Sequence, residues 1–571
     1  MAIDVDKLAY RYEELRSERA NWESTWRECA ELFNPGRYRD DTETNAHRIP
    51  LVNSKLVNSK GILAMRSMAS GMQGGMASPV RPWFRLVAKG DPQRIPDGVN
   101  AWLDRVTQVM TAVLHQSNFY NATHTLYSDI GTFGTGLLVE TANEDGIYFH
   151  LVRCGEYVLD INGNDEVDTF FRRLYMTPRQ ILDRWEHAPD LPDFIKRSRE
   201  RKVMTTERYD VIHAVFPRTD FKPAKRLTAE SKPFASVYYL PGGSSGHGTG
   251  KACILEEGGF DMFPAFAPRW DVSGSDVYGR SPAMDVLPDC KMLQAMTTTL
   301  RKTQHKIADP PLVADQSLRA TGVKLIPGGL SFFDSTRTGT TPVAPIHQPE
   351  AAALQTVMTA IQEVEQNIDD GLYVDLFRMM LEDQRSRITA TEVNAKERER
   401  IVMLGPVVER LHKELFDPVI RRTFALMQEW GAMPTPPEGV DALDVDVSFE
   451  SALAQAQRQV TTSNIEAGFA FIGQAAAAVP EILDIVDTDA MGRAYLDRIN
   501  MPSSVIREES AVEEIREQRA QAAAQQQQME TMNQGVNQLV DATKAMENMS
   551  NTNISGQNAL EALTSGLGAI R

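Results

Sequence analysis

Two helical stretches of opposite charge, set on either side of residues 309–349, constrain this chain more than any other feature. Ser281-Pro282 opens a short helix and Pro288 a longer one that runs to about Ala308. Proline suits a first turn, where its missing N–H is no loss. Leu293, Met296, Leu300 and Ile307 form one narrow apolar stripe, and Lys291, Arg301, Lys302 and Lys306 occupy the remaining surface. Asp309-Pro310-Pro311 stops the helix, and a segment of β-type and turn residues follows. A second helix is expected over about 350–376, with Leu354, Val357, Met358, Ile361, Val364 and Ile368 on one side. Its polar face carries Glu350, Glu363, Glu365, Asp369 and Asp370. Each helix would be about 20–25 residues, or roughly 30–40 Å, long. Narrow stripes suit packing against neighbouring helices. The opposite charges suit pairing, either as an antiparallel hairpin within one domain or between chains.

The flanking sequence is mixed. Residues 7–33 read as an amphipathic helix (Leu8, Tyr12, Leu15, Trp22, Trp26, Leu32) ended by Asn34-Pro35-Gly36. A stretch rich in Met, Ala, Ser and Gly over 52–76 reads as a tightly packed helix rather than a flexible lid. Trp83 to Leu86 begins an extended segment, and 97–130 is helical again. From about 135 to 270 the period changes to short β-type runs at 137–139, 147–149, 157–159, 169–171, 207–216, 234–240 and 251–256. Asn162 to Asp165 is a hairpin-type turn, and Thr177 caps a short helix to Trp185. After a break at Arg378–Arg387, Thr389-Ala390-Thr391-Glu392 fits a capping box for a helix reaching Trp430, which Pro406 and Pro418 should bend or break. Gly431 stands where a helix-ending glycine belongs. Residues 451–515 are helical in pattern, and from 516 the chain becomes Ala/Gln-rich, either helical in an assembly or disordered. The fold class is α+β, mainly helical.

Composition narrows function. With 571 residues, length alone points to three or four domains. There are 60 Lys+Arg against 77 Asp+Glu, a net charge of −17. Such a chain is not expected to coat nucleic acid, which needs clustered cations, so any DNA contact should be local or sliding. Cys29, Cys154, Cys253 and Cys290 lie far apart and read as reduced thiols. No signal peptide or membrane span is expected.

No catalytic, metal or cofactor site is expected. Gly242 to Ala252 approaches a P-loop, but Ser245 stands at the first glycine position and Ala252 at the Mg²⁺-binding hydroxyl position. Lys251 to Leu255 reads as the return strand of a hairpin. The Gly131, Gly134, Gly136 run precedes a strand, whereas a dinucleotide site needs it after one. His124, His213 and His305 form no triad or ligand motif and read as surface or satisfied core residues.

Several segments together resemble the portal, or head-to-tail connector, proteins of short-tailed, podovirus-type bacteriophages. They are Ser67–Gly71 with Ser78–Leu86, Gly134-Thr135-Gly136, Tyr278–Asp285, Asp309-Pro310-Pro311, and Thr389–Val393 with Leu404-Gly405-Pro406 and Glu414–Pro418. The resemblance spans about 5–460. It implies a closed ring of about twelve subunits with a central channel that passes double-stranded DNA. It implies a wing (1–281), stem helices (282–308 and 350–376), a clip between them (309–349), a tunnel loop (377–388), a second wing portion (389–449), a crown (450–515) and a tail (516–571). The implied partners are the terminase large subunit, tail adaptor proteins, scaffold and major capsid protein. The implied location is the virion, at the capsid portal vertex, after assembly in the host bacterial cytoplasm. Lys302, Lys306, Arg378, Arg385 and Arg387 are the DNA-channel candidates, inter-subunit salt bridges being the alternative for each. A tail adaptor or other virion structural protein, and a nucleotide-dependent enzyme using Lys251, are the competing readings.

Overall fold

Asp4 starts the first helix, α1 (Val5–Phe33), by accepting the backbone N–H groups of Asp6 and Lys7. The computed structural model that shows this describes residues 3–39, 56–89, 98–143, 146–188, 191–192, 195–196, 208–219, 231–242, 252–310, 312–314, 343–345, 351–382, 404–437, 445–449, 509–551, 553–554 and 557–558, with single positions at 472, 474 and 492. The chain divides into two units, 1–483 and 484–571.

In the first unit α1 lays Tyr12, Leu15, Trp26 and Phe33 against the interior. Its buried Arg19 donates to the carbonyls of Gly155 and Tyr157, and Trp26 Nε1 to that of Phe133. Helix α2 (Lys60–Met76) begins later than the sequence pattern suggested, since 56–59 are not helical. Its small residues serve close packing: a Cβ added at Gly71 would sit 2.1 Å from Cβ of Phe377. Strand β1 (Phe84–Ala88) follows.

The stretch read as one helix over 97–130 is two, α3 (Val99–Gln116) and α4 (Phe119–Phe133). Local side chains make the break. Ser117 Oγ donates to the Leu114 carbonyl and accepts the Phe119 N–H. Asn118 then pairs with the Phe149 backbone in both directions, at 2.7 and 2.8 Å. Polar side chains that offer the backbone other partners end helices in this way.

Strands β2 (Leu137–Asn143) and β3 (Gly146–Val152) make a hairpin, joined by β9 (Ala265–Phe266) in the order β3-β2-β9. A second sheet runs in simple antiparallel succession through β4 (Tyr157–Ile161), β5 (Val167–Met176), β6 (Tyr209–Pro217), β7 (Phe234–Leu240) and β8 (Cys253–Phe260). The β4–β5 turn closes with Asp165 N–H on the Asn162 carbonyl. Helix α5 (Pro178–Trp185) packs on this sheet and has a full capping box between Thr177 and Gln180. His213 is a buried core residue, while Ser70 Oγ lies 3.4 Å from exposed His124. All four cysteines are free and buried, and burial first of all pushes the Cys29 and Cys290 thiols up to about 12.

After α6 (Pro282–Asp285) come α7 (Leu287–Ala308), the short strands β10 (Leu312–Ala314) and β11 (Val343–Pro345), α8 (Ala351–Gly371) and α9 (Val374–Glu382). The second long helix was expected to run to 376 and to break from Arg378. Instead it ends at Gly371, Leu372 and Tyr373 form the break with Tyr373 at φ 56°, and α9 covers 374–382. Val374, Leu376 and Phe377 are buried, so tertiary packing holds α9 where local pattern suggested a loop.

The last part of the first unit is α10 (Gly405–Leu411), a π-helical turn (His412–Phe416), α11 (Asp417–Glu429) and β12 (Val445–Phe449). The capping box expected at 389–392 lies outside the described residues. Pro418 neither breaks nor ends the helix. The preceding turn widens to i→i+5 bonding, which accommodates the N–H that Pro418 lacks. Gly431, at φ 64°, ends the helix as expected. Strand β12 pairs antiparallel with β1, Phe84 opposite Phe449.

Helix α11 is tied to β2 by a buried pair. Arg422 Nε lies 3.3 Å from Oε2 of Glu140, whose side chain is 0% exposed. Arg422 also donates to the Met262 carbonyl and covers the Phe260 ring. Neither Glu140 oxygen has a hydrogen bond of good geometry among the described residues. Burial pushes the Glu140 carboxyl up to about 8, outweighing the opposing pull of Arg422.

The second unit holds α12 (Glu509–Asn551), one helix of 43 residues, roughly 65 Å long, which takes in the Ala/Gln-rich stretch from 516 to 551. Met529, Met532, Val536, Leu539 and Met546 are exposed at alternating three- and four-residue steps, with Thr543 completing the pattern. That spacing is a coiled-coil seam.

Candidate functional site: a hairpin with a cationic end

Helices α7 and α8 pack together as an antiparallel hairpin, its ends fixed by two observations. At the base, a Cβ on Gly371 would lie 2.2 Å from Val286 Cγ1, so the end of α8 meets the start of α7. At the far end, β10 and β11 pair antiparallel, Leu312 opposite Pro345.

The base is rooted in the main core through Leu287, Cys290 and Leu293 of α7 and Ile361, Val364 and Ile368 of α8. A strap of residues 57–60 crosses both helices. Gln294 Oε1 accepts the N–H groups of Val57 and Asn58, and its Nε2 donates to the Asn58 carbonyl at 2.7 Å. Asn58 Nδ2 donates to Glu365 Oε1 at 3.2 Å, and Lys60 forms an ion pair with Asp369. Lys291 reaches back to Glu28 of α1 at 2.6 Å. No sequence signal announced this strap. Asn58 and Lys60 fall in a stretch read as helix, and their partners lie more than 230 residues away.

The distal half differs. Arg301, Lys302, His305 and Lys306 are all exposed, as are Ile307, Leu312 and Val313. The hydroxyls of Thr298, Thr299 and Thr303 are turned to carbonyls four residues back. No acidic residue occurs in 298–308 or 351–362. The acids Glu363, Glu365, Asp369 and Asp370 lie toward the base, and Asp309 and Glu350 flank the distal end. Most of the acids of α8 are therefore offset along the hairpin from the cations of α7. Among the described residues neither Lys302 nor Lys306 has an ion-pair partner, so their ammonium groups are available to an incoming anion.

The structure does not gather the candidates into one cluster. Lys302 and Lys306 sit on the distal half of α7. Arg378 lies beyond the base, on the exposed side of α9, with Asp375 at 3.9 Å. Arg385 and Arg387 lie outside the described residues. So do Gly243–Lys251, but the flanks of that loop are antiparallel strands, Leu240 opposite Cys253. A P-loop needs a helix on the far side.

Behind the hairpin the segments singled out in the sequence meet at one junction. Gly134 N–H donates to the Ile130 carbonyl, and the Gly134 carbonyl accepts from Trp270. Gly279 N–H donates to Thr135 Oγ1, and Ser281 Oγ to the Thr132 carbonyl. At φ 80°, a Cβ on Gly134 would be 2.0 Å from the Gly279 carbonyl oxygen, so only glycine fits. Arg269, 4% exposed, grips Glu414 of the π turn with Nη2–Oε1 at 2.6 Å and donates to the Asp165 carbonyl. Sequence reasoning had not singled out Arg269. The junction holds the hairpin, both sheets and the α10–α11 helix in one frame.

A helical hairpin with a cationic end thus stands on a frame that ties both sheets and the α10–α11 helix together. The chain matches the model for bacteriophage head to tail connecting proteins over residues 5–506, and it belongs to that family. Its function is that of a phage portal. The probable portal protein of Bordetella phage BPP-1 is 33% identical over 565 residues, 98% of this chain and 97% of that one. The portal protein of Salmonella phage epsilon15 is 33% identical over 573 residues, 99% of each. A chain in the virion of a native gene transfer agent particle aligns over 72% of this chain and 86% of that one, at 11% identity and TM-score 0.32, too distant to argue from. No described helix is long and apolar enough to cross a membrane.

Proposed function

We propose that copies of this chain close into a ring of about twelve, with the α7–α8 hairpins around an axial channel for double-stranded DNA. The ring occupies the unique capsid vertex of the virion. It has no enzymatic activity of its own, and ATP hydrolysis belongs to a docked motor. The observation that carries this reading is the hairpin: rooted and strapped at its base, exposed apolar groups along its shaft, and at its end two lysines with no ion-pair partner among the described residues. A rooted hairpin with exposed Met292, Met358 and Ile307 suits burial against identical neighbours.

The offset of charge along the hairpin bears on how DNA passes. Copies related by rotation about an axis present equal heights to one another. The distal cations of one copy then face the acid-free stretch 351–362 of a neighbour, with Asp309 and Glu350 beyond its end, which favours phosphate over an inter-subunit salt bridge for Lys302. Against a ring of net negative charge, those few cations give brief backbone contacts and low friction. Arg378 on α9, with Arg385 and Arg387 after it, takes the same role, and the tunnel loop is the part of 377–388 that follows α9.

The remaining assignments follow the same architecture. Residues 1–281 and 389–449 form the wing, 309–349 the clip that meets the terminase large subunit and then tail adaptor proteins, and 450–515 the crown. The exposed seam of α12 suits a bundle of tails from neighbouring copies. Scaffold and major capsid protein contact the wing.

The test is the mass and shape of the purified protein, by light scattering and negative-stain imaging. Twelve chains of 63.7 kDa give a ring of about 760 kDa with an axial hole. A protein that stays monomeric even with scaffold and capsid protein present refutes the ring. Deleting 312–345 should leave rings that no longer dock motor or tail, and intact packaging by that variant refutes the clip assignment.

A further inference from the structure

The exposed seam of α12 has a definite phase. From Met529 through Met532, Val536, Leu539 and Thr543 to Met546 the steps run three, four, three, four, three. In a heptad the short step leads from a to d, so Met529, Val536 and Thr543 hold a positions and Met532, Leu539 and Met546 hold d. The same phase runs back to Ile515 and Ala522 at a, with Gln518 and Gln525 at d. The positions beside the seam agree with it. Gln528, Gly535 and Ala542 at g carry no charge, nor do Asn533 and Val540 at e. In a parallel pair of identical helices each g residue meets the e residue five positions on in its partner. That sets exposed Glu514 at g against exposed Arg519 at e, and no like charges meet.

Two features select the number of strands. Ile515, Val536 and Thr543 put β-branched side chains at a, and Leu539 stands at d. β-Branched a positions with leucine at d favour two parallel strands. The second feature is width. At roughly 100° per residue, the side chains from Met529 to Met546, with Val540, cover an arc of about 120°. In a closed wall of twelve helices each would meet its two neighbours on flanks about 150° apart. One arc of this width cannot line both flanks, and its middle would stay in water, where Met532 is 71% and Leu539 69% exposed in a single copy. Between two helices the whole arc is covered.

We propose that the α12 helices of the assembled protein join two by two as parallel coiled coils, each seam covered by the same seam of a second copy. A ring of about twelve then carries pairs of tails rather than one closed barrel of helices, and its rotational symmetry is halved at that level. The inference rests on the ring reading. The ring holds identical tails at high effective concentration, which offsets the weakness of a seam interrupted by Gln518 and Gln525. Those two glutamines also fix register, because polar core layers find partners only when like layers meet.

The experiment uses full-length rings carrying Val536→Cys, the four native cysteines being buried. In a parallel pair in register the two introduced thiols face each other, and diamide takes up their two hydrogens as the disulfide forms. After the remaining thiols are alkylated, nearly every chain should run as a dimer on a non-reducing denaturing gel. Chains that stay single, in rings verified by imaging, overturn the pairing. A second variant, Gln528→Cys with Asn533→Cys, places thiols on both sides of the seam, and a short bismaleimide then links each helix to every neighbour it touches. Bands that stop at two chains are the expected result. A ladder of three or more chains overturns the pairs and leaves the ring standing. Absence of rings from the unaltered protein overturns both.

Discussion

The buried pair between β2 and α11 predicts an unusual dependence of stability on pH. An ordinary glutamate ionises near 4.5, whereas burial moves Glu140 to about 8. The unfolded chain therefore releases this proton near pH 4.5 while the folded protein keeps it until about pH 8. Between those values the folded state binds more protons, so stability falls as pH rises. The full difference corresponds to about 5 kcal/mol, taken as a ceiling. Glu140→Gln imitates the neutral carboxyl in shape and removes the titration. Urea unfolding, followed by tryptophan fluorescence from about pH 5 to 8, should find the two proteins similar at the acid end. Wild type should then fall behind the variant by up to a few kcal/mol at about pH 8, within that ceiling. Taking the difference between the two cancels the titrations they share. If the curves stay parallel, or wild type gains on Glu140→Gln with rising pH, the carboxylate is ionised throughout. Its attraction to Arg422 would then outweigh burial.

Three further outcomes are expected. Gly134→Ala forces a Cβ onto the Gly279 carbonyl at positive φ and should cost about 3 kcal/mol or more. Gly98→Ala, also at positive φ but in open space, should cost only about 1 kcal/mol, and equal melting losses would refute the close-approach argument. Removing the guanidinium in Arg269→Met strands Glu414 and should cost about 3–5 kcal/mol in chemical unfolding, with the α10–α11 turn losing hydrogen-exchange protection first. Replacing Lys302 and Lys306 by alanine should lower the salt dependence of duplex binding by about 0.9 in log–log slope for each lysine contacting phosphate. An unchanged slope would place both ammonium groups against protein.

What the sequence made legible was local. The Thr177 cap, the Asn162 turn, the return strand after the glycine-rich loop and the glycine stop at 431 all rest on interactions spanning a few residues. The helices of the hairpin were visible for the same reason, since their stripes are internal to each. What stayed hidden depends on distant partners. Asn118 breaks a helix because the Phe149 backbone comes to it, and α9 replaces an expected loop because Gly71 admits Phe377. Whether the hairpin's charges oppose one another or are offset depends on the direction and register of packing. A list of charges on each helix carries neither. The residues expected to touch DNA were named from charge alone, and the hairpin separates Arg378 from Lys302 and Lys306 by most of its length.

The pairing of β1 with β12 sets a timetable. Phe84 leaves the ribosome long before its partner Phe449, and the intervening chain takes roughly 20–70 s to make at about 5–20 residues per second. Until then β1 has no strand beside it, and the core it borders lacks Leu411, Phe416 and Ile420. A nascent chain cannot present a finished body to a neighbour. The ring proposed above would then draw on completed polypeptides, and a chain truncated before 445 should be left out of it.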